Sequence, residues 1–214
     1  MKIQWYGMGC FFIESEKKTK ILTDPYDDSL GYGLPPQNPD IVTVSHEHFD
    51  HNAVDSLSSA PVLIRNTGEF KEGDIKISGI KSFHDENKGR SRGLNTAYRI
   101  EVDNISFVHL GDIGHKLDSR QRSGLMPCDI LAIPVGGVFT VKVKDAVEIV
   151  NELNPLIVIP MHYSTPSCKL PINTEQEFVN AFVEVVRVKH WAGSRSSLPK
   201  QTRVLLMKAR GEIG

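Results

Sequence analysis

At 214 residues, with 40% hydrophobic and 24% charged side chains, the chain is long enough for one sizeable core and too evenly mixed to be disordered or fibrous. Twenty-five Lys and Arg against 26 Asp and Glu leave a formal net charge of -1, so no global charge draws it to nucleic acid or an anionic membrane. Three cysteines, Cys10, Cys128 and Cys168, are an odd number without close pairing, which argues against a disulfide framework and for a reducing, cytoplasmic setting.

Met1 to Gly7 lacks the basic-then-apolar pattern of an export signal, and no apolar run approaches the roughly 20 residues of a membrane span. Ile3-Gln4-Trp5-Tyr6 and Cys10 to Glu14 read as two strands around a Gly7-Met8-Gly9 turn. Lys20 to Thr23 is a third strand, stopped by Asp24-Pro25. Asp24 reads either as a turn residue or as a carboxylate that orients a neighbouring imidazole. Residues 26–39, with Gly31, Gly33, Pro35 and Pro36, form a loop.

The densest chemistry follows the apolar strand Asp40 to Ser45. Ser45-His46-Glu47-His48-Phe49-Asp50-His51 packs three imidazoles and a carboxylate into six positions, donors that suit borderline divalent ions such as zinc. On extended chain His46 and His48 share a side. A helix from about His51 through Ala53, Val54 and Leu57 is expected to bring Asp50 and His51 round to the same spot.

Val62 to Ile64 and Asp74 to Ile80 are further strands, the second leading to His84. A polar loop, 86–94, carries Lys88, Arg90 and Arg92 and reads as solvated charge or as a clamp for a phosphate or carboxylate. Strands Thr96 to Ile100 and Ile105 to Leu110 follow, and the latter ends in Gly111-Asp112, with His115 beyond as a candidate near the substrate. Ile130 to Val135, a helix from about Lys144 to Leu153 and Leu156 to Met161 form a βαβ-like unit ending at His162. Thr174 and Glu177 predict a capping box for a helix carrying Phe178, Phe182, Val185 and Val186. Arg203 to Met207 reads as a closing strand.

The strand-end residues His46, His48, Asp50, His51, His84, Asp112 and His162 are more donors than one tetrahedral ion uses. They imply two divalent metals, Zn²⁺ first, with Mn²⁺ or Fe²⁺ as alternatives: His46, His48 and His84 on one, Asp50, His51 and His162 on the other, and Asp112 between them. Such a pair generates a bridging hydroxide that attacks an acyl or phosphoryl centre, and Asp50 could orient it or take its proton.

At these residues the chain resembles the metallo-β-lactamase-fold hydrolases. The H-x-H-x-D-H run from His46 to His51, the later His84, the Gly111-Asp112 pair and His162 all stand in that family's order. The stretches Gly93-Leu94-Asn95-Thr96, His109 to His115, Ile133 to Thr140 and Ile159 to Tyr163 are similar to a small branch that includes L-ascorbate-6-phosphate lactonase and many uncharacterised hydrolases. The resemblance implies one α/β (α+β) domain over 1–214, a four-layer αββα sandwich of two similar halves, about 1–95 and 96–214. Asp24, Arg92, Asn95 and His115 are candidates for supporting or substrate-facing roles. Two departures are Met8, where the family often carries His, and the lack of length for the insertions of nucleic-acid-processing members. His48 stands where diiron redox members carry Glu, which favours hydrolysis.

The expectation is thus a two-metal hydrolase of a small, anionic ester, lactone or phosphodiester. The alternatives are a metal-bound sensor for a nucleotide or sugar phosphate, or a nuclease, the least favoured given the neutral charge. The sequence implies a small-molecule substrate and no membrane partner, and leaves a homo-oligomer open.

Overall fold

Uninterrupted apolar strands define the centre of the molecule. The computed structural model describes residues 1–210 and contains two β-sheets. The first is built from β1 (Lys2–Gly7), β2 (Cys10–Glu14), β3 (Lys20–Thr23), β4 (Ile41–Thr43) and β5 (Val62–Ile64). The second takes β6 (Gly68–Glu72), β7 (Ile75–Phe83), β8 (Leu94–Val102), β9 (Ile105–His109), β10 (Ile130–Pro134), β11 (Ile157–Met161), β12 (Val185–Val188) and, after β13 (Trp191–Ala192) has returned to the first sheet, β14 (Arg203–Met207). The orders are β13-β1-β2-β3-β4-β5 and β12-β14-β11-β10-β9-β8-β7-β6. β9, β10, β11 and β14 run parallel, and every residue of β9, β10 and β11 is buried, as expected for parallel strands covered on both faces.

The sheets face each other across aromatic side chains. Phe11 of the first meets Phe107 of the second edge-on at 5.6 Å between centroids. Tyr98 of β8 donates its buried hydroxyl to the carbonyls of Val44 (2.8 Å) and Ile64 (3.2 Å), tying the second sheet to the ends of β4 and β5. Helices α1 (Ser119–Leu125) and α2 (Val143–Leu153) pack on the second sheet, followed by a single turn, α3 (Gln176–Val179). Before α1 the helical segments are two 3₁₀ turns, Asp28–Leu30 and Val54–Ser56, so the helical layers are unequal. Among the described residues no helix is long and apolar enough to cross a membrane. β1 also meets later parts of the chain: Lys2 pairs with Ala192, Gly193 N–H donates to Met1 O, and Arg210 N–H donates to Trp5 O.

Two expected helices are corrected. After His51 there is only the turn Val54–Ser56, because the backbone bonds outward instead: Ala53 N–H to Pro25 O, and Ser58 and Ser59 N–H to Gln37 O. Asn52, Asp55 and Ser56 favour such local alternatives to a helix. The helix expected from Thr174 stops after Val179, its N-cap is Glu175 without a side-chain bond, and Val185 and Val186 belong to β12, where β-branched residues pair with Val204 and Leu205. Conversely, α1 is present, closed by a capping box in which Asp118 accepts from Gln121 N–H and the Gln121 side chain accepts from Asp118 N–H.

Phe107 fills the space between the sheets with no exposed surface. Phe107→Ala is expected to cost about 3–5 kcal/mol, read as a lower urea midpoint with an unchanged slope.

Candidate metal centre

The strands of both sheets deliver their polar C-terminal ends to one place. β3 and β4 lie parallel, and Asp24 N–H bonds Thr43 O, so the residues after each strand are neighbours. His84 follows β7, Asp112 follows β9 by three residues and His162 follows β11. His51 N–H closes a turn onto His48 O at 3.0 Å, which folds Asp50 and His51 back over the strand end.

The result is a nearly enclosed knot of imidazoles around one carboxylate. Asp112 Oδ2 lies 3.0 Å from His162 Nε2, 3.3 Å from His84 Nε2, 3.4 Å from His51 Nε2 and 3.9 Å from His46 Nε2. Asp50 Oδ2 is 3.3 Å from His51 Nε2 and 3.7 Å from His162 Nε2. The seven candidates fall into two groups, His46 with His48 and His84, and Asp50 with His51, Asp112 and His162, the donor atoms of each lying within 4.8 Å of one another, and Asp24 makes a third such group with His46 and His51. His48 is exposed; the other six are buried. All seven strand-end candidates therefore meet.

Asp24 sets the orientation of two of them. Its Oδ1 accepts from Ser45 N–H (2.7 Å), and its Oδ2 accepts from Ser45 Oγ (2.6 Å) and His51 Nδ1 (2.8 Å). Ser45 has one hydroxyl proton and gives it to Asp24, so the 2.8 Å contact from His46 Nδ1 must be donated by the imidazole. Both rings thus turn their Nε2 toward Asp112. His46 Nε2, His51 Nε2 and Asp112 Oδ1 are buried with no hydrogen-bond partner, the pattern of a donor set that fits a cation.

The electrostatics agree. Burial opposes ionisation of Asp112, but His162 and His51 outweigh it and hold the carboxyl well below its usual range. Burial likewise disfavours charge on His162, yet Asp112 and Asp50 raise it to about 9, and His51 is raised well above 6.5 against its own burial by Asp112 and Asp50. Burial, with His51 beside it, lowers His46 to about 3. The metal-free cluster therefore gathers protons on His51 and His162, where a cation would otherwise balance the carboxylates.

The remaining candidates have other tasks. Asn95 is buried, with Oδ1 accepting from Asp112 N–H (3.0 Å) and Nδ2 donating to Ser82 Oγ and Leu110 O, so it anchors Asp112. His115 is not brought to the cluster: Nε2 accepts from Phe83 N–H and Nδ1 donates to Lys116 O. Asp85 accepts four backbone N–H groups of the following loop, from Asn87, Gly89, Ser91 and Arg92. Of that loop's three cations, Arg92 alone lines the clefts beside the cluster, one of about 440 Å³ with His46 and His48 and one of about 390 Å³ with His84. Its guanidinium donates to Phe139 O at 2.7 Å.

Two supports lie outside the strand-end pattern. His109, within β9, accepts from Gly111 N–H at Nδ1 (3.2 Å), so its Nε2–H donates to Gly9 O (2.8 Å); it joins the glycine turn to the backbone before Asp112. Gly9 lets the turn pack close to the cluster: a Cβ there would stand 3.0 Å from both Asp24 Oδ2 and the His51 ring and would press on them. Met8 is fully buried and contributes its carbonyl, which accepts from His162 N–H at 3.2 Å.

Asp24→Asn cannot accept from both Ser45 and His51 as a carboxylate does. It is expected to weaken divalent-metal binding about 10–100-fold in chelator competition, with His109→Leu acting in the same direction. In the metal-free protein the raised His162 adds stability that is complete below its unfolded pKa of about 6.5 and is lost as pH rises through about 9, which thermal melting across that window would show.

Comparison with known proteins places this geometry. The family description "Beta-lactamase superfamily domain" matches residues 2–162. A metal-dependent hydrolase of Methanosarcina barkeri is 30% identical over 195 residues, covering 77% of this chain and 84% of its own. A Pyrococcus furiosus protein is 32% identical over 194 residues, covering 78% and 85%. The crystal structure described as a Zn-dependent hydrolase of the metallo-β-lactamase superfamily from Thermotoga maritima superposes with a TM-score of 0.81 at 32% identity, over 96% of this chain and 97% of that one. A metallo hydrolase of Ignicoccus hospitalis shares the fold with a TM-score of 0.67 at 20% identity, over 99% and 96%. With its strand-end histidines and aspartates at the junction of two facing sheets, the chain belongs to the β-lactamase superfamily and has the metallo-β-lactamase fold.

Proposed function

We propose that the chain is a metal-dependent hydrolase with a two-metal centre, acting on an ester, lactone or phosphodiester bond of a small anionic substrate. The observation that carries this reading is the partition of seven donors into two groups with Asp112 Oδ2 between them. His46, His48 and His84 would hold one ion, Asp50, His51 and His162 the other, and Asp112 would serve both. Bound divalent ions supply Lewis acidity and a water whose pKa falls toward about 7, and the N/O donor set suits zinc. The names of the Methanosarcina and Thermotoga relatives, a metal-dependent and a Zn-dependent hydrolase, support the same class.

The chain's own groups supply the rest. Asp50 is ionised, because His51 and its bond to His162 overcome the burial that would keep it neutral, and its Oδ2 can receive the proton of the attacking water. Asp24, through Ser45, holds His46 and His51 in the tautomers that leave Nε2 free. Of the seven candidates, His48 is the exposed one, so solvent reaches the cluster from its side. Arg92, exposed and lining both clefts, is the side chain placed to meet a substrate phosphate or carboxylate, while its bond to Phe139 O fixes its reach.

Asp50→Asn is expected to keep the fold, lose one of two ions by elemental analysis and lower turnover of an ester, lactone and bis-p-nitrophenyl phosphate panel about 10²–10⁴-fold. Retained activity with both ions bound would overturn the assignment. Metal loading should release protons near neutrality, since His51 and His162 must shed theirs, and affinity should rise with pH toward about 9. Calorimetry in buffers of different ionisation enthalpy measures that release.

A further inference from the structure

The edge of the second sheet carries a group of cations that the hydrolytic reading does not use. β12 is the edge strand and pairs in parallel with β14, with Arg187 opposite Leu206 and Val188 opposite Met207. Lys208 N–H donates to Val188 O, which carries the ladder on and sets Lys189 beside Lys208. Side chains two apart on a strand share a face, so Arg187 and Lys189 stand on one side of β12, and Leu206 and Lys208 on the matching side of β14.

Like charges on adjacent strands repel, and some of this chain's cations are met by acids. At the start of the same strand pair, Arg203 bonds Glu184 at 2.7 Å; Lys17 meets Asp74 at 2.9 Å and Arg122 meets Glu152 at 3.1 Å. At the other end of the pair, Arg187, Lys189 and Lys208 form no ion pair among the described residues. They surround a groove of about 430 Å³ whose one acid among the described residues is Glu175 and whose lining includes buried Leu206 and buried Tyr163, the latter stacked on Trp5 at 5.0 Å. A second groove of about 340 Å³ shares Lys189 and Lys208 and adds Lys2 and Arg210, with no acid in its lining among the described residues. In a chain of net charge -1, this is a local concentration of one sign over an apolar floor.

We propose that this groove binds a small amphipathic anion, an organic phosphate or carboxylate with an apolar or aromatic body. The body rests on Leu206 and Tyr163, and the anionic head is held by Arg187, Lys189 and Lys208. The volume suits a small organic molecule, and unpaired Arg and Lys donors supply charge-assisted hydrogen bonds to its head. The site stands apart from the seven metal-binding candidates and does not depend on their assignment.

The test titrates the metal-loaded protein with phenylphosphonate and follows backbone amide shifts by NMR. The expected result is a saturable shift at residues 187–189 and 206–208. Affinity should fall about tenfold or more in Lys189→Glu/Lys208→Glu and in Arg187→Glu, all exposed positions whose melting should not change. Methylphosphonate, which has the head without the ring, should bind more weakly by about the same factor. Shifts confined to residues 46–51, or unchanged affinity in both charge-reversal variants, would overturn the site. Equal binding of the two phosphonates would overturn its amphipathic character. None of these outcomes depends on whether an ester or phosphodiester is turned over.

Discussion

The cluster depends on one buried carboxylate, Asp24, that holds two of its imidazoles. Asp24 has no exposed surface, and a charge there is tolerated only because Ser45 N–H, Ser45 Oγ and His51 Nδ1 all converge on it. Burial alone would keep it protonated; His51 first, with His109 and His46 behind it, holds it ionised. The same bonds dictate which nitrogen of His46 and of His51 carries a proton. One side chain at the end of β3 thereby fixes two imidazoles that come from the turn after β4.

Bringing so many polar groups together strains the backbone around them. Asp24, Met8 and His162 all have positive φ, at 40°, 46° and 50°, in the left-handed region that costs a non-glycine residue about 1–3 kcal/mol. Each is held by neighbouring backbone: Asp24 N–H on Thr43 O, and His162 N–H on Met8 O. Gly111 reaches φ 55° where a Cβ would stand 2.3 Å from Asn95 Oδ1, so glycine before Asp112 is a packing requirement as well as a conformational one. The buried parallel strands behind these residues make such a departure affordable.

Much of this was legible in the chain. The His46 to His51 run, and the polar residues that end apolar strands, name the cluster before any coordinates do, because strand ends in an α/β fold are where side chains can converge. β10, α2 and β11 could be read from their apolar runs and helical period. β6 could not: Gly68–Glu72 has no buried residue, and its role as a charged edge leaves no alternating pattern. The helix expected after His51 failed because Ala53, Ser58 and Ser59 find backbone acceptors in the preceding loop, a long-range fact that no local propensity encodes. His109 was passed over because the strand was read on through Leu110, with Gly111-Asp112 taken as its polar end, and the value of Gly9 shows only once Asp24 and His51 are packed against it. α1 was not among the expected elements, although Asp118 and Gln121 carry its signal, a capping box with Asp in place of Ser or Thr.

The pairing of β1 with β13 bears on how such a chain is made. Ile3 has to wait for Trp191, and Trp5 O for Arg210 N–H, so β1 acquires its second neighbour only after most of the described chain has been made. His162 is likewise synthesised more than a hundred residues after His46. Contacts this distant in sequence slow folding and leave apolar strand edges uncovered in the meantime. A nascent chain can collect its first histidines early, but His162 follows β11, so the seven residues are all present only after six of the second sheet's eight strands have been made.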